Sequence, residues 1–255
     1  MKKYLLLPMA MLILSIGCSK EENTTTETGF GTVEFAPTIS LMIETRATTN
    51  LPETVIPDAG DFWLLLKGKP GTETESFSAE YEKFHTYDKP YMASGDYTAT
   101  IRYGDPSQEG VTAYCYEGTQ EFTVLARQTI QQNITASLVN SVISLSCSEM
   151  FNKYYTDAEF IVRTESGNEF KFANASSAMI FVKAESKLFL SGTATKSQNG
   201  VEVQFPEHEI GSTVARTWHK IEVDASQVGQ GSIDIRLDDT LTPIELEEIE
   251  INPEA

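Results

Sequence analysis

The chain has 255 residues, with 19 Lys and Arg against 37 Asp and Glu, and a formal net charge of −18. Apolar residues make up 40% and aromatics 10%, which excludes a disordered chain, since such chains lack aromatic and β-branched side chains to bury. The acidic balance argues against nucleic acid as a partner and against anionic membrane surfaces, because phosphate binding needs a basic patch. Three Cys and three His are too few and too scattered for a structural zinc site.

The N-terminus reads as an address. Lys2 and Lys3 precede an apolar run from Leu5 to Ile16, too short to span a bilayer but suited to an export signal. The run ends at Ser15-Ile16-Gly17-Cys18, which resembles the bacterial lipobox, with Ser15 where Leu is usual and Leu14 one place further back. The resemblance implies removal of residues 1–17 and diacylation of Cys18 by chains such as palmitate. Each buried CH₂ contributes about 0.8 kcal/mol, so two chains hold the protein in outer-membrane lipid. A secreted protein with a chance Cys is the alternative. Ser19-Lys20-Glu21-Glu22 resembles the charged signal that sends Bacteroidetes lipoproteins to the outer face of the outer membrane; otherwise it is a solvated linker. Residues 18–29 are polar and form the flexible tether.

From Phe30 onward the pattern is period-2 alternation, the mark of half-buried strands. Tyr97, Ala99, Ile101 and Tyr103 alternate with Thr98, Thr100 and Arg102; His219, Ile221 and Val223 alternate with Trp218, Lys220 and Glu222. The same holds at Ile39–Ile43, Phe122–Val124 and Ile233–Leu237, with Gly, Pro, Asn and Asp marking the turns between. A short helix is expected over Glu149–Tyr154. About a dozen strands exceed one sandwich of seven to nine. The expected fold class is therefore all-β, with two consecutive antiparallel β-sandwiches over residues 30–138 and 139–255. The strand Thr129–Leu138 hands over almost directly to one at Val139–Cys147.

Strand and turn signatures spread along the chain carry a resemblance. They are Gly29-Phe30-Gly31-Thr32-Val33-Glu34-Phe35, Glu44-Thr45-Arg46-Ala47, Asp61-Phe62-Trp63-Leu64, Ser94-Gly95-Asp96-Tyr97-Thr98-Ala99, Tyr116–Val124 and Val142–Cys147. Together they resemble the fimbrillin-like surface lipoproteins of Bacteroidetes, and within them a widespread uncharacterised domain-of-unknown-function family. The resemblance implies transthyretin-like or immunoglobulin-like sandwiches on the cell surface. For the pilin branch it also implies cleavage after Arg46, with Ala47 as the new start, and assembly with other fimbrial subunits by donor-strand exchange. Such a cut would remove Val33, Phe35, Ile39, Leu41 and Ile43 and leave an apolar groove. The alternating C-terminal runs Ile244–Leu246 and Ile249–Ile251 suit a donor strand, with a bulge expected at Glu247-Glu248. The plainer reading makes both segments strands of their own domains and Arg46 a loop residue.

No nucleophile elbow, H-E-x-x-H, P-loop or G-x-G-x-x-G occurs, so no catalytic residue, metal or cofactor is assigned and the expectation is a non-enzyme. His85, His208 and His219 read as surface or packing residues. Cys115 and Cys147 have the option of pairing in an oxidising compartment. The stretch Phe84–Tyr91 is loop-like with three aromatics, so Tyr87 and Tyr91, with Trp218 on the outward parity of its strand, are candidate ligand-binding residues; stapling of the loop to the sandwich is the alternative. Trp63, inside the apolar run Phe62–Leu66, reads as core. Asp239-Thr240-Leu241 matches the Bacteroidetes O-glycosylation motif at Thr240. The functional expectation is a surface lipoprotein for adhesion or ligand binding. The alternatives are a pilus subunit matured at Arg46 and an accessory protein that binds host or dietary glycans.

Overall fold

The computed structural model describes residues 28–43, 49–174, 177–225, 232–237, 244–247 and 249–251. Cys18, Arg46, Ala47 and Thr240 lie outside them. The first half contains β1 (Phe30–Ser40), β2 (Met42–Ile43), β3 (Thr49–Asn50), β4 (Trp63–Gly68), β5 (Ser78–Tyr81), β6 (Met92–Ala93), β7 (Gly95–Tyr103), β8 (Tyr116–Val124) and β9 (Thr129–Leu138). The second contains β10 (Ser141–Cys147), α1 (Glu149–Tyr154), β11 (Tyr155–Thr164), β12 (Glu169–Ala173), β13 (Ile180–Val182) and β14 (Lys187–Lys196). It continues with β15 (Glu202–Ser212), β16 (Trp218–Asp224), β17 (Ser232–Leu237), β18 (Ile244–Glu247) and β19 (Ile249–Glu250). The protein is all-β in class. No described helix is long and apolar enough to cross a membrane.

The first half forms a seven-stranded sheet in the order β5-β4-β7-β8-β9-β1-β6. Strands β8 and β9 pair at Tyr116–Leu138 and Glu117–Ser137. Alternate residues point inward as the pleat requires: Phe62, Leu64 and Leu66 from the β4 region, and Tyr97, Ala99 and Ile101 from β7, are all buried. The second half packs two five-stranded sheets, β13-β10-β16-β17-β18 and β12-β11-β14-β15-β19, around Phe151, Phe160, Phe172 and Phe205. The short helix α1 is capped by the Ser148 hydroxyl, which accepts from Phe151 N–H at 3.0 Å.

Most ladders are antiparallel, as the sequence predicts, but two are not. β1 runs parallel to β9 from Thr32–Thr129 to Ser40–Ser137, and β10 runs parallel to β16. Alternation has the same period in both kinds of ladder, so it does not reveal strand direction. Each half therefore begins with a strand laid parallel to a later one, a repeat that the letters do not show. The slip in alternation at Glu247-Glu248 falls between β18, which pairs with β17, and β19, which pairs with β15 in the other sheet.

Cys115 is fully buried, Cys147 is half-buried, and both thiols are free. Burial pushes Cys115 up to about 11 and Cys147 up to about 12, so both stay protonated at neutral pH.

Candidate functional site

The run Phe62–Leu66 sets the site by its parity. Phe62, Leu64 and Leu66 fill the core, so Trp63 is turned to the other face of the sheet, where it is half-buried. This corrects the expectation that Trp63 is core. Antiparallel register then places Trp63 opposite Arg102 at the far end of β7. A cleft of about 360 Å³ opens there, lined by Asp61, Trp63, Glu82, Arg102, Tyr103 and Gly104.

Each wall is fastened by its neighbours. The Trp63 indole N–H donates to Glu80 Oε1 at 2.7 Å, satisfying the one polar atom of the ring. The Arg102 guanidinium lies over the Trp63 ring, 5.9 Å from its centroid, and its Nε donates to Glu117 Oε2 at 2.6 Å. Asp61 accepts from Lys83 Nζ at 2.8 Å, and that hydrogen bond, followed by the ammonium charge, holds its carboxyl below the ordinary range. Tyr103 stacks on Tyr114 with ring centroids 5.8 Å apart and packs against Phe62. Burial pushes its phenol up, which keeps it a hydrogen-bond donor. Gly104 turns the chain out of β7 at φ 80°, and a Cβ there would sit 2.4 Å from Tyr114 O, so only glycine fits.

The aromatic loop after β5 is tied to the segment that leads into β4. Phe84 N–H donates to Phe62 O at 2.6 Å, and His85 Nδ1 lies 3.0 Å from Gly60 O. Tyr87 is half-buried against Phe35, Tyr81 and Phe84, and its hydroxyl donates to Val33 O at 3.0 Å. Tyr91 is 80% exposed. Trp218 is half-buried in the second half, packs against the core of the first, and donates from Nε1 to Ser144 Oγ at 2.8 Å. None of Tyr87, Tyr91 and Trp218 lines the cleft. His219, 2% exposed, is a packing residue that accepts from Val214 N–H at 2.9 Å.

Sequence reasoning missed the cleft because its residues come from three separate segments and meet only through the β4–β7 register. The usable signal was the parity of Trp63 against Phe62 and Leu64. Among the described residues, no group of three or more His, Cys, Asp or Glu is placed to hold a metal ion.

The fold and the cleft define an all-β protein with a polar, aromatic-walled depression at one end of its first sheet. A family model described as a domain of unknown function (DUF4493) matches residues 29–253, and the chain belongs to that family. This bears out the resemblance of the chain to an uncharacterised family. No curated protein matches. Among solved structures, the chain is similar to a candidate polysaccharide-binding protein (DUF1812) from Bacteroides thetaiotaomicron, at 9% identity and TM-score 0.41, over 89% of this chain and 99% of that one. It is also similar to a candidate cell adhesion protein from Bacteroides ovatus, at 7% identity and TM-score 0.43, over 88% and 99%. A further candidate cell adhesion protein, from Bacteroides eggerthii, is similar at 9% identity and TM-score 0.42, over 87% and 96%. At such identities and TM-scores the likeness says nothing of function.

Proposed function

We propose that this protein is a non-enzymatic, lipid-anchored component of the outer-membrane surface that captures a ligand for adhesion. The observation that carries this reading is the position of the cleft relative to the tether. The tether from Cys18 reaches the fold at Gly29, whose carbonyl accepts from Ser94 N–H at 2.7 Å beside the start of β7. The cleft takes Arg102 and Tyr103 from the other end of β7. At about 3.3 Å per residue the two ends lie roughly 25 Å apart. A chain anchored at Cys18 is thereby attached at the end of β7 opposite the cleft, which leaves the cleft unobstructed by its tether. The chemistry lining the cleft is recognition chemistry: aromatic rings, two charges already paired with neighbours (Asp61 with Lys83, Arg102 with Glu117) and the exposed carboxylate of Glu82.

Three measurements on native cells test this together. The extracted protein is expected to start at a diacylated Cys18, external protease is expected to remove it from intact cells, and a deletion strain is expected to lose adhesion to a host or particle surface. An unlipidated periplasmic protein, or unchanged adhesion in the deletion strain, overturns the reading.

A pilus subunit is the second reading, favoured by β1. This strand buries Val33, half-buries Phe35 and Ile39, and lies at the N-terminal side of Arg46, so a cut there would free β9 for another chain's strand. A mature N-terminus at Ala47, together with fibres built from the chain that starts there, is the outcome that would establish it over the anchored form.

A further inference from the structure

We infer that the cleft is a binding site for neutral saccharides, with Trp63 and Tyr103 as its apolar wall and Asp61, Glu82 and Arg102 as its hydroxyl-reading groups. This rests on the reading of the protein as a surface capture device and adds the class of ligand.

Three features select that class. The volume of about 360 Å³ lies at the small end of small-molecule sites, about 300–1,000 Å³, which suits a sugar unit or two of a longer chain rather than a protein segment. The wall combines two aromatic rings with carboxylates and a guanidinium. A pyranose has one face of C–H bonds, which packs on aromatic carbon, and a rim of hydroxyls, which both donate and accept. Carboxylates accept from such hydroxyls, and the Arg102 fork donates to them. Each of these polar groups has directions left over after its protein partner is satisfied, as a carboxylate has about four acceptor sites.

Charge decides between neutral and charged sugars. Asp61 is already paired with Lys83, and Arg102 with Glu117, so the cleft has no unpaired cation to draw an acidic sugar. A uronate, sulfate or sialate would also meet the field of a chain with net charge −18. A cationic ligand would meet the exposed carboxylate of Glu82, but it would have to lie beside the like charge of Arg102 and compete with Lys83 for Asp61. The neutral polyol is the ligand that leaves every existing pair intact.

The test uses detergent-extracted full-length protein on an array of neutral, sulfated, sialylated and uronate-containing glycans, followed by titration calorimetry with the best binder. Neutral glycans are expected to bind and acidic ones not. Trp63→Ala is expected to weaken binding at least about tenfold, as loss of an aromatic anchor does. Because Trp63 is half-buried, a second variant guards against misfolding: Glu82→Lys, at an exposed position, fills the cleft with a charged chain and is expected to weaken binding similarly at an unchanged melting temperature. Tyr91→Ala, 80% exposed and outside the cleft, is expected to bind normally. Preference for acidic glycans, binding indifferent to Glu82→Lys, or loss of binding in Tyr91→Ala alone overturns the inference. If no glycan binds while the deletion strain still loses adhesion, the saccharide class fails and the capture role stands; if adhesion is also unaffected, both fail.

Discussion

At the residue scale the most constrained charge is Glu109, in the loop between β7 and β8. Its Oε2 accepts from Thr164 Oγ1 at 2.8 Å, Ser166 Oγ at 2.6 Å and Asn168 Nδ2 at 2.6 Å, and its Oε1 accepts from Lys183 N–H at 3.0 Å. A carboxylate is the side chain that can accept all four, and every donor comes from the second half of the chain. Burial pushes the Glu109 carboxyl up, but the donors, led by Ser166 and Asn168, outweigh it and hold the group below the ordinary Glu range. Glu109→Gln puts an amide N–H₂ where donors converge. It is expected to cost about 1–3 kcal/mol in urea unfolding, since a charged acceptor of four hydrogen bonds is replaced by a neutral amide. The linkage has a definite sign. A lowered folded value means that the ionised form stabilises the fold; this contribution is complete above the unfolded value, about 4.3, and is lost as pH falls through the folded one. The stability difference between wild type and Glu109→Gln should therefore shrink as pH drops below the ordinary Glu range. An equal difference at neutral and strongly acidic pH would contradict that assignment.

Strand β1 shows at the element scale how one segment is held by two unlike faces. Val33 points inward and is fully buried, whereas Thr38 on the exposed face pairs its hydroxyl with Thr135 at 2.9 Å. Val33→Ala removes two buried methyl groups and is expected to destabilise by about 2 kcal/mol, by transfer and cavity terms together. Thr38→Ala should stay within about 0.5 kcal/mol, as surface changes do. Equal losses in chemical denaturation would mean that β1 is held by its ladder with β9 and not by its side chains. Much of this element was legible in the letters: alternation located Val33, Tyr97, Ile101 and Val223 on inward faces, and the short helix was expected over Glu149–Tyr154, where it lies. What alternation cannot carry is pairing. The parallel partner of β1 is β9, about 97 residues later along the whole ladder, and the meeting of Trp63 with Arg102 depends equally on register. The candidate cleft was hidden for that reason, while the aromatic loop, a local feature, was visible and contributes no residue to the cleft lining.

At the scale of the whole molecule the question is whether two hydrophobic cores behave as two bodies. The buried side chains cluster separately, yet the second half places side chains inside the core of the first. Phe181 and Val142, from the second half, belong to the core of the first, and Phe181 lies 5.5 Å from the Tyr114 ring. Its backbone exchanges two hydrogen bonds with Gly110, at 2.9 and 3.0 Å, next to the Glu109 contacts. Asn140, between β9 and β10, adds a third tie, accepting from Cys115 N–H at 3.2 Å and donating to Ala113 O at 2.7 Å. All of these meet the loop that leaves the cleft at Gly104, so the recognition end of the first half and the body of the second share one support. Opening either core exposes Phe181, so neither half unfolds without disturbing the other. The expected behaviour is one cooperative transition, with calorimetric and van't Hoff enthalpies equal. Phe181→Ala should cost about 3–5 kcal/mol and should do more than lower the midpoint. With the shared anchor gone, the first core should melt ahead of the second, and the enthalpy ratio should depart from one. Two resolved transitions in the unmodified protein would show that the halves are independent, and that the Glu109 and Phe181 contacts position the two bodies without coupling their stability.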